Sequence, residues 1–131
     1  MVFRLLGSLG AAAVLAALPC SLPAQEKTAM KPPPSRDATV TGTVVDVSCK
    51  FGQGLSGPEH RMCAEVCADK GIPLAILADD GTLYLPTSAA MPGDDQNPRL
   101  KPFAEQRVTV SGKVFDAGGA RAIQIASIKK A

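Results

Sequence analysis

Arg107-Val-Thr-Val-Ser-Gly-Lys-Val-Phe115, followed by Asp116-Ala-Gly-Gly119 and Arg121-Ala-Ile-Gln-Ile-Ala-Ser-Ile128, is the stretch that decides the fold. Apolar and polar residues alternate along both flanks: Val108 and Val110 against Thr109 and Ser111, Ile123 and Ile125 against Gln124 and Ala126. A period of two sends one set of side chains to a buried face and the other toward solvent, as in a half-buried strand. The four residues between the flanks are turn formers, so the two flanks are predicted to be paired strands.

The same pattern extends toward the N-terminus. Leu74 to Ala78 and Thr82 to Pro86 flank Asp79-Asp80-Gly81, a hairpin signal. Thr39 to Val47 is rich in β-branched residues, with Val40, Val44 and Val45 as apolar positions and Gly42 as a predicted bulge or bend. That makes five short strands. Ala89 to Pro98 holds two prolines, a glycine and two aspartates, and reads as an exposed loop; Asn97 to Glu105 is a candidate short helix. The clearest helix is Pro58 to Lys70. Pro58 suits the first helical position, Glu59 and Glu65 favour the positive end, Lys70 the negative end, Gly71 caps it and Pro73 stops it. Five strands with a helical segment between the third and fourth predict a mainly β fold, a small barrel of the OB type. The 58–70 helix is then an insertion between strands one and two. An open β-sandwich and an α+β roll are the alternatives, and no internal repeat is present.

Before the domain, residues 1–24 have the layout of a secretory signal. Arg4 is the charged start, Leu5 to Leu18 the apolar run, and Pro19 a break followed by small residues up to Ala24. A run of fourteen residues is short for a bilayer span, so no membrane span is expected after cleavage. Cys20 offers a lipid-anchor alternative, against which Pro19 stands where a small residue is usual. Residues 25–37, with Lys31-Pro-Pro-Pro34, read as a Pro-rich leader, and 38–131 as a single domain. The implied location is periplasmic or secreted. Of the 14 basic residues Arg4 leaves with the signal, so 13 basic face 12 acidic residues, a net of +1. Near-neutral charge with few mature aromatics (Phe51, Tyr84, Phe103, Phe115) argues against nucleic-acid binding.

Export sharpens the reading of the cysteines. Cys49 and the run His60-Arg-Met-Cys63-Ala-Glu-Val-Cys67 hold the chain's only histidine and three of its four cysteines. Loss of Cys20 leaves an odd number in an oxidising compartment, so at least one binds metal, stays free or pairs with another molecule. On a wheel of about 100° per residue, His60, Cys63, Ala64 and Cys67 form one arc, which Met62 and Val66 extend, with Arg61, Glu65 and Asp69 opposite. Cys49, at the predicted end of the first strand, reaches the helix through the glycine-containing loop 50–57. Three readings follow. A disulfide from Cys49 to Cys63 or Cys67 closes a loop of 14 or 18 residues and stabilises a small domain by about 3 kcal/mol. A metal site made of Cys49, His60, Cys63 and Cys67 offers a tetrahedral set for Zn²⁺ that is also soft enough for Cu⁺. A reactive thiol at the helix start is the third, opposed by the C-x3-C spacing and the lack of an orienting partner for a Cys–His pair. Asp46 is a candidate acceptor for His60 or else a solvent-facing residue. Asp79-Asp80 and Asp94-Asp95 sit beside glycines without a calcium loop and read as turn residues. No phosphate-cradling loop, nucleophile elbow or zinc-protease helix is present, so no enzyme is expected.

Val45-Asp46-x-x-Cys49, His60-x-x-Cys63-Ala64-x-x-Cys67, Gly71-Ile72-Pro73, Asp80-Gly81-x-Leu83-Tyr84 and Val108-x-Val110-x-Gly112-x-Val114 with Ala122-Ile123 together resemble a group of small exported bacterial OB-like domains. The resemblance spans about Val40 to Ile128 and implies the fold and a shared Cys/His cluster, while assigning no activity. It departs at the first cysteine: an aromatic neighbour is usual there, whereas Ser48 and Lys50 flank Cys49 and Phe51 stands one position further. The combined expectation is an exported, non-enzymatic binding or accessory domain with a structural or carrier site for Zn²⁺ or Cu⁺. The runner-up is a disulfide-stapled domain presenting its loops to an unidentified protein partner, and a thiol-redox protein comes third.

Overall fold

The computed structural model describes residues 31–131. The signal segment, Cys20 and the first part of the leader lie outside the described residues. Five strands, β1 (Ser35–Asp46), β2 (Leu74–Ala78), β3 (Leu83–Pro86), β4 (Arg107–Ala117) and β5 (Ala120–Lys130), close into a barrel in the order β1-β2-β3-β5-β4. All pairings are antiparallel except β3 with β5, which run parallel through Leu85↔Ala122 and Pro86↔Ile123. The mainly β, OB-like expectation therefore holds.

The alternation in β4 and β5 explains the closure. Val108, Val110, Val114, Ile123 and Ile125 turn inward and meet Val40, Val44, Leu74, Ile76 and Tyr84 from the other strands. Each aliphatic side chain so buried contributes about 1.5–3 kcal/mol. Helix α3 (Asn97–Leu100), continued by a 3-10 turn over Lys101–Phe103, lies between β3 and β4 and adds the fully buried Leu100 to this core. The predicted short helix is thus present.

Two glycines allow close approach. A Cβ on Gly42 would stand 2.7 Å from Ala78 Cα, and one on Gly112 2.9 Å from the Gln124 carbonyl carbon. Gly42 pairs with Ala78 on one side and Val108 on the other, where β1 passes between its two neighbours. Of the bulge or bend expected at Gly42, no bulge is present, since β1 stays in register with both neighbours there. The register shift lies between β4 and β5, where Ser111 pairs with Ser127 and Gly112 with Ile125, leaving Ala126 of β5 as the extra residue. Strand β1 begins at Ser35, and Ser35, Arg36 and Asp37 pair with Phe115, Val114 and Lys113.

The connection from β1 to β2 carries α1 (Val47–Gln53), a single 3-10 turn (Pro58–His60) and α2 (Arg61–Asp69). Helix α1 corrects the sequence reading, which ran the first strand from Thr39 to Val47, set Cys49 at its end and placed a loop over 50–57. Asp46 is the reason. Its carboxylate accepts from Cys49 N–H at 3.0 Å and caps the new helix at the point where β1 stops. Gly54, with φ of 71°, ends α1 as a left-handed cap. No described helix is long and apolar enough to cross a membrane.

Candidate metal centre

Helix α2 stands over the end of β1 with Ala64 and Ala68 as its buried residues. Small side chains at i and i+4 let its backbone lie close to the barrel. The expected arc is only half right: Cys67 borders the buried face, but Met62 is 77% and Val66 49% exposed. The charged face is tied down instead. Arg61 pairs with Glu65 at 2.8 Å and donates to the Pro102 carbonyl at 3.1 Å, while Asp69 accepts from Lys101 at 2.6 Å. These contacts with the 101–103 turn rotate the apolar Met62–Val66 edge outward. Phe51 and Leu55 are exposed as well.

Two buried side chains missed by the sequence reading fix the position of α2. Asn97 donates to the carbonyls of Ala68 (3.1 Å) and Ile72 (2.8 Å) and accepts from Leu74 N–H (3.0 Å). It thereby satisfies carbonyls at the helix end and joins them to the start of β2. Glu105, at φ of 56°, accepts through Oε2 from Gly57 N–H at 2.7 Å and from Ser56 Oγ at 3.0 Å. Its own N–H donates to the Val44 carbonyl at 2.8 Å. The loop leading into His60 is thus pinned to the barrel from below. Neither residue carries a local motif, since each acts on groups distant in sequence.

These supports bring the predicted cluster together around Cys49. Cys49, Cys63 and Cys67 form one set whose sulfurs all lie within 4.8 Å of one another. Asp46, Cys49 and His60 form a second set within the same limit. His60 therefore falls with Asp46 and Cys49, while Cys49 belongs to both sets. All three cysteines are free thiols; Cys49 is buried, Cys67 half-buried and Cys63 exposed. Asp46 does not face solvent, as one alternative had it, but is fully buried.

The electrostatics centre on Asp46. Burial alone would raise its pKa, yet the Cys49 N–H and the thiols of Cys67 and Cys49 outweigh it and hold the carboxyl below its ordinary value. Neither thiol meets hydrogen-bond geometry with it, and Oδ2 has no partner. The two thiols act on the carboxylate as neutral S–H dipoles at short range. The effect on the thiols is reciprocal. The Asp46 carboxylate, then burial, push Cys67 up to about 12, and burial, then Asp46, raises Cys49. Without a cation these sulfurs hold their protons. With one, the positive charge removes the penalty on the thiolates, which are the ligating form.

The sulfur triad fits such an ion. Tetrahedral Zn²⁺ with bonds of about 2.3 Å needs sulfurs roughly 3.8 Å apart, a contraction of at most about 1 Å from the limit above. Comparison with known protein families, curated proteins and solved structures finds no match to this chain.

Proposed function

We propose that this domain is an exported metal-binding module holding a thiophilic ion, Zn²⁺ or Cu⁺, at Cys49, Cys63 and Cys67. The observation that carries the reading is the convergence of three free sulfurs from two helices within 4.8 Å, beside a buried carboxylate. Thiolates select soft and borderline cations over Mg²⁺ or Ca²⁺, whose ligands are oxygens. Exposure of Cys63 supports a carrier role over a sealed structural one. An ion bound there is reachable by an incoming thiol or by a partner protein's soft ligand, whereas a structural zinc site is closed by four protein ligands. The OB-like barrel is then the frame that fixes Cys49 and Cys67, and the resemblance to exported bacterial domains supports the periplasmic or secreted setting.

The same proximity supports a competing reading, one disulfide among the three sulfurs. Titration of the reduced mature protein with Co²⁺ separates them. A thiolate-to-metal charge-transfer band in the near ultraviolet, abolished in Cys49→Ser and displaced by Zn²⁺, is expected. Absence of the band from reduced, folded protein contradicts the metal reading. Competition between Zn²⁺ and Cu⁺ for that band then identifies the preferred ion.

A further inference from the structure

We propose that the cluster takes two divalent cations, with Cys49 Sγ shared between the three-thiolate position and a second position formed by Asp46, Cys49 and His60. This rests on the preceding reading of the three thiolates and extends it.

Three observations carry it. The first is geometric: the ligand atoms of the Asp46–Cys49–His60 set converge within the same 4.8 Å limit as the sulfur triad, and the two sets meet only at Cys49. The second is that, of three buried side-chain atoms without a hydrogen-bond partner, two fall in this set, the third being Glu105 Oε1. Asp46 is fully buried with Oδ2 lacking any hydrogen-bond partner, and His60 Nε2 is buried and equally unpartnered. Buried polar atoms in folded proteins are nearly always satisfied, and two orphans belonging to one triad mark a missing common partner. Oδ1 is already occupied by the Cys49 N–H at 3.0 Å, so Oδ2 is the oxygen left for an ion.

The third observation is charge. With all ligands deprotonated, three thiolates and one carboxylate carry four negative charges, of which those on Asp46 and Cys49 are buried. One divalent ion leaves two of them uncompensated, which burial opposes strongly. Two divalent ions cancel them. The donors also choose the ion: carboxylate oxygen, imidazole nitrogen and a thiolate sulfur with lone pairs to spare suit Zn²⁺, whereas a carboxylate is a poor ligand for Cu⁺.

The test is stoichiometry. Reduced mature protein is loaded anaerobically with Zn²⁺, desalted and analysed for metal per chain by elemental analysis and native mass spectrometry. The same is done for Asp46→Asn, which retains an oxygen for the helix cap, and for His60→Ala. Circular dichroism of the metal-free forms checks folding. Two equivalents are expected in the wild type and one in each variant, with the Co²⁺–thiolate band retained in both variants. One equivalent in the wild type, or two in both folded variants, overturns the second position while leaving the three-thiolate reading intact. No bound metal in folded, reduced wild type overturns both.

Discussion

Asp46 joins strand to site. It is the last residue of β1, the cap of α1 and the charged neighbour of two thiols. Asp46→Ala is expected to cost the metal-free protein about 1 kcal/mol through the lost helix cap, read by urea unfolding, whereas Asp46→Asn preserves most of that. Glu105 acts on the same region from the barrel side. Its left-handed backbone is uncommon for a side chain of this kind, and its carboxylate holds the 56–57 loop. Glu105→Ala leaves the Gly57 N–H without its acceptor and is expected to lower stability by about 1–3 kcal/mol. Glu105→Gln, which keeps an accepting oxygen, is expected to cost less; equal losses in the two variants would contradict the assigned role. At this scale the sequence showed the cysteines and His60 clearly, because their residue types and spacing are local. Asp46 was visible only as an ambiguous polar neighbour. Glu105 was not visible, since its partners lie 48 and 49 positions away.

Among the elements, α2 shows how tertiary contacts override a helical wheel. Its wheel set Met62 and Val66 on an extension of the arc of His60, Cys63 and Cys67, away from Arg61, Glu65 and Asp69. The structure buries Ala64 and Ala68 and turns the larger pair outward, because the Arg61–Pro102 and Asp69–Lys101 contacts and the Asn97 hydrogen bonds set the rotation. Substitution separates the two arrangements. Met62→Ser and Val66→Ser are expected to change unfolding free energy by less than about 0.5 kcal/mol, while Ala64→Leu, which overpacks the contact, is expected to cost about 1–3 kcal/mol. Losses above 1 kcal/mol in the two Ser variants would contradict the observed rotation. Asn97→Ala removes three hydrogen bonds, to the carbonyls of Ala68 and Ile72 and from the Leu74 N–H at the start of β2, and is expected to cost about 2–3 kcal/mol. It should also weaken metal binding, because Cys67 sits in the turn that Asn97 secures. Helix α1 escaped the sequence reading for a related reason. Seven residues containing a glycine have little intrinsic helicity, and their best signal was Asp46 three positions before Cys49, the spacing of a helix cap.

For the whole molecule, the five strands could be read from alternation, and their number with the helix between β3 and β4 pointed to the barrel. The closing contact could not be read. It is a parallel pairing of β3 with β5 between residues 37 positions apart, Leu85↔Ala122, and only the assembled core selects it. Cys49 and the α2 cysteines converge from elements packed on that barrel, so the proposed metal centre predicts that ion binding and folding are coupled: a cation bound by the native state alone would raise its stability in proportion to the logarithm of free ion over the dissociation constant. The most direct measurement is intact mass with metal analysis of the protein exported and purified without added metal or reductant. Bound Zn²⁺ or copper, together with three alkylatable thiols after acid unfolding, is the expected result. A metal-free chain lighter by two hydrogens, with one disulfide among Cys49, Cys63 and Cys67, would contradict the metal centre.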